Sequence, residues 1–162
     1  MSKLWGARFS SGSDVLADSL TFSISYDYRL ARYDCIGSIA HAQMLAKQAV
    51  IPKQDAQKIV SGLKKILNLV ESGKFKYDPK DEDVHTNIQN SLKKLIGPAA
   101  DKLHTARSRN DQVVLDVKLY CMDHIDKIVT AIALLQGAIV GFAKRNQTVI
   151  IPAYTHLQGA QV

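Results

Sequence analysis

The chain has 162 residues, of which 46% are hydrophobic and 22% are charged, and its formal net charge at pH 7 is +6. This composition is typical of a soluble globular protein with a sizeable core, and it excludes a predominantly disordered chain. The lysines lie in scattered pairs without interleaved aromatic residues or a recognised binding motif, so we expect solvated helix faces and no nucleic-acid partner.

The two cysteines, Cys35 and Cys121, fall within helical patterns far apart in the sequence. They show neither metal-ligand spacing nor a disulfide framework, so we expect buried, reduced thiols. The N-terminus lacks the apolar core of a signal peptide, and no apolar run approaches the roughly 18 residues of a membrane span. We therefore expect a cytoplasmic protein with no membrane partner.

The first half of the chain predicts an arm followed by two helices. Residues 1–22 contain several glycines and serines, which favour an extended or loosely helical arm. A helix from about Asp27 to Lys47 follows, with apolar side chains at helical spacing: Leu30, Tyr33, Ile36, Ala40 and Met44. Pro52 suits the first turn of a second helix, which Ser72-Gly73 ends and whose apolar face carries Ile59, Leu63, Ile66 and Val70.

The second half predicts a short helix and a long one. The short helix, of about 15 residues, is N-capped from the Asp81–Asp83 region and closed by Gly97-Pro98. The long helix, of about 30 residues, carries a heptad-like seam made of Cys121, Ile125, Ile128, Ile132, Leu135, Ile139 and Phe142, with Val114 one heptad earlier. Such a helix cannot cover its own apolar stripe within so short a chain, so it should pack against other long helices, in cis or from other subunits.

The predicted fold class is therefore all-α. We expect an N-terminal helical domain with an extended arm over residues 1–111, followed by the start of a central long-helix bundle over residues 112–162.

A dense polar run, HTARSRNDQ, occupies residues 104–112 directly before the long helix. Burying such a run is costly unless its groups meet partners or a ligand. Its two guanidiniums, hydroxyls and amide suit a small molecule that bears carboxylates, with Arg109 and Asn110 as candidate donors. The alternative is an exposed loop in which Asn110 or Asp111 caps the helix that follows.

A second polar segment, PAYTHLQGAQ, occupies residues 152–161. An imidazole is the natural proton carrier among side chains, so His156 is the candidate for proton transfer. Thr155 and Gln158 flank it with hydroxyl and amide groups, and both are candidate substrate-binding residues. Which half of an acid/base reaction His156 serves is left open by the sequence.

Together the two segments resemble the first two signature regions of the fumarase/aspartase superfamily, whose members eliminate fumarate from succinyl compounds. Three further motifs, KLWGARF at residues 3–9, SISYDYRL at 23–30 and DEDVH at 81–85, make the chain similar to the argininosuccinate lyase family. The resemblance implies an all-α carbon-nitrogen lyase that splits argininosuccinate into arginine and fumarate. It also implies a homotetramer built around long helices, with no cofactor and no metal.

The resemblance also assigns roles to individual residues. It implies that Ser23 and Asn110 contact the substrate, that Thr155 holds a carboxylate and that His156 belongs to the acid/base pair. His85 matches a family active-site position, although a histidine at a helix start can equally pair with a nearby carboxylate such as Asp81 or Asp83. Asp27 and Arg29 can equally be a helix-start charge and a solvated arginine, so we do not count them as catalytic. We expect His104 to line the polar run. For His41 and His124 we expect satisfied or exposed rings.

The chain also departs from the family pattern. The third signature, which carries the catalytic serine, lies beyond Val162, so we expect a truncated N-terminal portion that is inactive alone. The family usually has glycine where Ala106 and Ala153 stand, and alanine is strained if the φ angle there is positive. The segment from Thr155 onward should open another long helix. Alternative functions are another fumarate-releasing lyase of the superfamily and a non-catalytic, crystallin-like structural or oligomerisation protein.

Overall fold

The computed structural model describes residues 20–161 together with Leu16. Most of the predicted N-terminal arm, the motif at residues 3–9 and Val162 lie outside the described residues. The chain divides into two compact units, Met1–Cys121 and Met122–Val162. Each unit is described by itself, and the domain boundary between residues 111 and 112 stays a prediction.

The first unit is built from helices, in agreement with the predicted all-α class. Its elements in chain order are α1 (Ile24–Asp27), a 3-10 turn (Tyr28–Leu30), α2 (Ala31–Lys47), α3 (Lys53–Glu71), α4 (Val84–Ile96), a 3-10 segment (Gly97–His104) and the first part of α5 (Arg109–Arg145). The second unit contains the rest of α5 and two short strands, β1 (Ala153–Thr155) and β2 (Gln158–Gln161).

The apolar face predicted for α3 is confirmed. Ile59, Leu63 and Ile66 are fully buried, and Val70 packs against the same core. Gly62 lets α3 approach α4 closely, because a Cβ atom at this position would lie 2.6 Å from Leu92 Cδ1. The main core of the first unit therefore lies between α2, α3 and α4.

The apolar face predicted for α2 is largely wrong. Tyr33 is buried as expected, but Ala40 and Met44 are exposed. The buried face of α2 is made mostly of smaller residues: Ala31, Asp34, Cys35, Ser38, Ala42 and Leu45. Small side chains allow helices to pack closely. A prediction based on the spacing of large apolar residues does not detect a buried face made of small ones. The same face also carries two polar side chains into the interior.

The start of α4 is capped as predicted. Asp83 is the N-cap residue, and its Oδ1 accepts a hydrogen bond of 2.6 Å from the Thr86 N–H. The Val84 N–H donates to both carboxylate oxygens of Asp27 at 3.2 Å. Since these free N–H groups are satisfied, the first turn of α4 is held in a fixed place.

The apolar stripe predicted on the long helix faces solvent in the part of the chain that the structure describes. Ile125, Ile132 and Phe142 are 57%, 50% and 64% exposed. Helix α5 has 37 residues, and its most apolar window has a mean hydropathy of 1.7. By length and composition alone it qualifies as a membrane span, which corrects the expectation that no run comes near that length. The core helix of a soluble protein passes the same test, so this is weak support for a membrane.

Both cysteines are free, but their environments differ. Cys35 is buried in the core, as expected. Cys121 is exposed, which corrects the prediction of a buried thiol. The physical reason is that Cys121 lies on the stripe of α5 that no described element covers.

Residues 153–161 form an antiparallel hairpin, so the prediction that this segment opens a long helix is wrong. Thr155 pairs with Gln158, and His156 and Leu157 form the turn with φ angles of 51° and 62°. Residues 151–160 are all exposed. Helices of so few residues are marginal without packing, whereas a hairpin satisfies backbone groups locally.

Candidate functional site

The sequence-predicted site residues fall into two groups, one in each compact unit. Ser23, His85, Arg109 and Asn110 belong to the first unit. A second group lies on the hairpin of the second unit: Thr155, His156 and Gln158.

A cavity of about 660 Å³ in the first unit brings Ser23 and His85 together, along with Asp27, Asp83 and Tyr120. Ser23 Oγ donates a hydrogen bond of 2.6 Å to Asp27 Oδ2. Because its hydroxyl proton is committed to Asp27, Ser23 is left to accept a hydrogen bond from a ligand.

Asp27 is a structural carboxylate that sequence reasoning left as a helix-start charge. It accepts from Ser23 and from the Val84 N–H, and so links α1 to the first turn of α4. Burial raises the pKa of Asp27, although both hydrogen bonds act in the opposite direction. Asp27 thereby fixes the backbone next to His85.

His85 is 3% exposed and lies between two carboxylates. Its Nδ1 is 3.4 Å from Asp34 Oδ2 and 3.5 Å from Asp116 Oδ2. The histidine therefore pairs with carboxylates of α2 and α5, not with Asp81 or Asp83. Burial alone would lower the pKa of His85, but the hydrogen bond and charge of Asp34 outweigh it, and the pKa is raised. Direct contact of His85 with a substrate stays a prediction.

The two carboxylates differ in their electrostatics. Burial disfavours charge on Asp34, but hydrogen bonds from His85 and Gln112 hold the pKa of Asp34 below its ordinary value. Burial and the nearby charge of Asp34 raise the pKa of Asp116 to about 8. At neutral pH Asp34 is therefore ionised beside a largely protonated Asp116, and the charge of Asp34 favours the imidazolium form of His85.

Sequence reasoning missed Asp34 and Asp116. A usable signal exists in the spacing, because Asp34 and Ser38 lie four residues apart, as do Gln112 and Asp116. On a helix this spacing stacks polar groups on one face, and on α2 that face is otherwise made of small buried residues.

The ligand atoms of Asp34, His85 and Asp116 lie within 4.8 Å of one another, which is close enough for a shared metal ion. The guanidiniums of Arg107 and Arg109 both act on Asp116, and that of Arg107 also acts on Asp34. A divalent cation would add two more positive charges beside them. The two neighbouring guanidiniums therefore weigh against a divalent cation at these groups.

The polar run at residues 104–112 ends in a helix cap. Ser108 Oγ accepts from the Asn110 N–H at 3.2 Å, and the Ser108 N–H donates to Asp111 Oδ2 at 3.0 Å. This reciprocal arrangement is a capping box. Ser108 is thus the cap, with Asp111 in the supporting position, while Asn110 is exposed at the surface.

The two arginines of the run reach into the first unit. Arg109 Nη2 donates to Thr86 Oγ1 at 3.4 Å, and Arg109 Nε lies 3.7 Å from Asp83 Oδ2. Arg107 Nη1 donates to Ser38 Oγ at 3.1 Å. The structure therefore places Arg109 beside the same first turn of α4 that carries His85.

The structure also shows the environments of three other residues in or near the polar run, Ala106, His41 and His104. Ala106 has a φ angle of 56°, the conformation for which the expected glycine would be suited. His41 Nε2 donates to the Thr105 carbonyl at 3.0 Å, as expected for a satisfied histidine. Burial and the charges of Arg107 and Arg109 lower the pKa of His104 to about 4, so this ring is neutral at pH 7.

The hairpin of the second unit presents Thr155, His156 and Gln158 as exposed residues. Thr155 and Gln158 are paired across the strands, and His156 lies in the turn between them. The three predicted residues are therefore close neighbours on one short element.

Comparison with known proteins shows which family the chain, with its two groups of predicted site residues, belongs to. A family model described as lyase matches residues 7–162. The chain belongs to the lyase family. Members of this family have the helical fumarase/aspartase fold, in agreement with the helices described above.

Curated relatives are similar along almost the whole chain. The argininosuccinate lyase of Geobacter metallireducens is 48% identical over 159 residues, which is 98% of this chain and 35% of the relative. That of Syntrophus aciditrophicus is 49% identical over 160 residues, and that of Pelotomaculum thermopropionicum is 45% identical over 161 residues; each match covers 99% of this chain. The chain spans about a third of the length of the relatives it matches, 34% to 35%.

Proposed function

We propose that this lyase-family chain is the N-terminal part of an argininosuccinate lyase, which releases fumarate from argininosuccinate to give arginine. The observation that carries the proposal is the 48% identity to an argininosuccinate lyase over 98% of this chain. The chain then supplies substrate-binding residues and one member of the acid/base pair.

Elimination of fumarate requires three kinds of group. A base takes a proton from the carbon beside one carboxylate, an acid gives a proton to the nitrogen as the carbon–nitrogen bond breaks, and fixed donors stabilise the charged carboxylate of the intermediate. The electrons of the carbon–hydrogen bond become the new double bond of fumarate. No cofactor is needed for these steps, and we propose none.

The first unit supports the carboxylate-binding role. Arg109 and Asn110 lie in the first turn of α5, where the N–H groups of the helix add to the positive potential. A guanidinium and a neutral amide both donate to carboxylate oxygens. Ser23 and His85 line the cavity of the same unit and complete the group proposed to meet the substrate.

The hairpin supports the proton-transfer role. His156 is an exposed imidazole near Thr155 and Gln158, and an imidazole has one nitrogen that can accept a proton and one that can donate a proton. We propose that His156 is one member of the acid/base pair, that Thr155 holds a substrate carboxylate and that Gln158 binds substrate.

The exposed stripe of α5 supports an oligomer. Apolar side chains that are half exposed on one helix favour burial against other long helices. We propose a homotetramer, in the cytoplasm, with a small-molecule substrate and with neither nucleic acid nor membrane as a partner.

A chimera tests the function. In it, this chain replaces the matching segment of the Geobacter metallireducens argininosuccinate lyase, and fumarate absorbance is followed with argininosuccinate as substrate. We expect the chimera to turn over argininosuccinate and the 162-residue chain alone to be inactive. Activity of the isolated chain comparable to that of the complete relative would contradict the assignment.

The alternatives predict different outcomes for the same chimera. Another lyase of the superfamily predicts that fumarate is released from a different succinyl compound and not from argininosuccinate. A crystallin-like structural role predicts an assembled chimera with no turnover, so light scattering accompanies the assay.

A further inference from the structure

A buried polar cluster of the first unit joins α4 and α5, the two elements that carry His85, Arg109 and Asn110. Its members lie on α2, on α4, in the segment before α5 and on α5 itself. We call it the Asp34 cluster, and it consists of Asp34, Ser38, His85, Arg107, Gln112 and Asp116. Five of them are at most 3% exposed: Asp34, Ser38, His85, Gln112 and Asp116.

Asp34 makes the central contacts of the cluster. Its Oδ1 accepts from Ser38 Oγ at 3.1 Å and from Gln112 Nε2. Its Oδ2 faces His85 Nδ1 at 3.4 Å. Ser38 in turn accepts from Arg107 Nη1, so Asp34 reaches the polar run through two routes, Gln112 and Ser38.

Asp116 occupies a different position. Its Oδ2 lies 3.5 Å from His85 Nδ1, and neither of its oxygens has a hydrogen-bond partner among the described protein atoms. Asp34 Oδ2 and His85 Nδ1 also lack a hydrogen bond of ordinary geometry, so both contacts of the ring are charge contacts, and Asp34 differs from Asp116 in that its Oδ1 is hydrogen-bonded. One Nδ1–H group therefore faces two carboxylates and can donate fully to one of them at a time. Of the two, only Asp34 is also bonded to the start of α5.

We propose that Asp34 is a positioning residue of the lyase site. It orients the His85 ring and, through Gln112 and Ser38, holds the run from Arg107 to Gln112 where Arg109 and Asn110 can meet the carboxylates of the substrate. This inference rests on the proposed function, because it assigns Asp34 to the same site.

The charged groups around His85 define what the loss of Asp34 does. Asp34 faces the His85 ring from α2, Asp116 and Arg109 face it from α5, and Asp83 lies at the start of α4, the helix of His85 itself. The further titratable or charged neighbours are Arg107, His104 and Asp27. Asp34 is the group that favours the protonated ring most strongly. Without its charge, the His85 imidazolium loses its strongest stabilisation. Asp116, whose pKa Asp34 raises, then ionises more readily and offsets part of this loss, so the expected net effect is that His85 loses its proton at lower pH.

The test uses Asp34→Asn in the chimera, since asparagine keeps the shape and one oxygen acceptor but removes the charge. We expect kcat to fall by about 10-fold to 100-fold through misplaced groups. We also expect the limb of the pH–rate profile that reports His85 to move to lower pH. Asp34→Glu, which restores the charge, should recover part of the rate and the position of that limb.

Two further variants separate positioning from general damage. Gln112→Met removes the bond to α5 but leaves the His85 pair, so it should lower kcat without moving the pH–rate limb. Asp101→Asn is the matched control, because Asp101 is an exposed aspartate paired with Lys93, and it should change neither quantity. If Asp34→Asn does not fold, the proposal is tested with Gln112→Met and Asp34→Glu instead. A kcat equal to that of the parent chimera in both variants overturns the proposal.

A measurement that does not depend on activity separates this proposal from the proposed function. NMR of the imidazole nitrogens follows the titration of His85 in the chain and in Asp34→Asn. A titration that does not move overturns the role of Asp34. A parent chimera that assembles but is inactive overturns the proposed lyase function, and with it the catalytic role of Asp34. If the titration of His85 is nevertheless shifted in Asp34→Asn, the pairing of His85 with Asp34 still holds.

Discussion

The Ser108 N–H donates to Asp111 Oδ2 at 3.0 Å, so Asp111 is bound into the cap of α5 and is not a free carboxylate of the polar run. The run therefore ends in a helix cap, with Ser108 and not Asn110 or Asp111 as the cap residue, while the carboxylate-binding role of Arg109 and Asn110 stays a prediction. A residue that only caps should affect stability more than substrate binding.

We expect Asp111→Ala to lower the free energy of unfolding by about 1 kcal/mol, because one partner of the capping box is lost. Urea denaturation measures this. Asp126→Ala, at an exposed position within α5, is the control and should change stability by less than about 0.5 kcal/mol. Equal effects of the two substitutions would contradict the cap.

We expect Ala106→Gly to raise the free energy of unfolding by about 0.5 to 1 kcal/mol, because glycine adopts the φ angle of 56° without steric cost. Thermal unfolding of the variant provides the measurement. Ala153→Gly is the matched control, since Ala153 is absent from the described residues with positive φ. A gain at residue 153 as large as that at residue 106 would argue against backbone strain as the cause.

Stability should depend on pH through Asp116. Because folding raises the pKa of Asp116 from 3.8 to about 8, its protonated form is favoured in the folded state. Its contribution is complete below about pH 4 and is lost as the pH rises through about 8. The raised pKa of His85 also makes the folded state less stable as the pH rises. The lowered pKa of Asp34 has the opposite effect, because its contribution to stability is lost as the pH falls.

Asp116→Asn tests this dependence, since asparagine is neutral at every pH. We expect the variant to lose less stability than the parent chain between about pH 6 and about pH 9, measured by urea denaturation at both values. Asp126→Asn should retain the dependence of the parent. An unchanged slope in Asp116→Asn would show that Asp116 does not titrate in this range.

Charge on the stripe of α5 should dissociate an oligomer. We expect Ile132→Glu to shift the molar mass from light scattering toward the monomer, because leaving about seven apolar side chains in water costs on the order of 10 kcal/mol. Lys144→Glu, at another exposed position of α5, should not do so. A monomeric parent chain at micromolar concentration would mean that the stripe is not an interface between copies of this chain.

Kinetics of the chimera should separate His156 from Asn110. His156→Asn should lower kcat by about two to four orders of magnitude and leave KM within about tenfold, because proton transfer by a placed side chain contributes about that much. Asn110→Leu should damage both constants, since its amide serves the bound substrate and the developing charge alike. A change in KM alone for His156→Asn would make His156 a binding residue.

The sequence predicts best where one strong physical term decides the structure. Ile59, Leu63 and Ile66 are large and recur at helical spacing, so burial of α3 follows from hydrophobicity alone. The Asp83 cap of α4 follows from local hydrogen bonding in the same way. The fold class and most helix bounds depend on such local terms.

The sequence predicts poorly where the deciding contact is distant. Asp34 and Asp116 are 82 residues apart (116 − 34), and a lone aspartate within a helix pattern is normally solvated. Their pairing through His85 depends on how three helices meet. The hairpin at His156 was missed for a related reason, because the helix expected there needs packing partners outside the segment.

The exposed stripe of α5 also has a consequence for the synthesis of the protein. In the proposed oligomer, a newly made chain presents Ile125, Ile132 and Phe142 to the solvent before it meets other long helices. Correct association and non-specific aggregation then compete for the same surface, and both accelerate with concentration. The yield of native protein should therefore depend on how early its helical partners, or a chaperone that shields the stripe, become available.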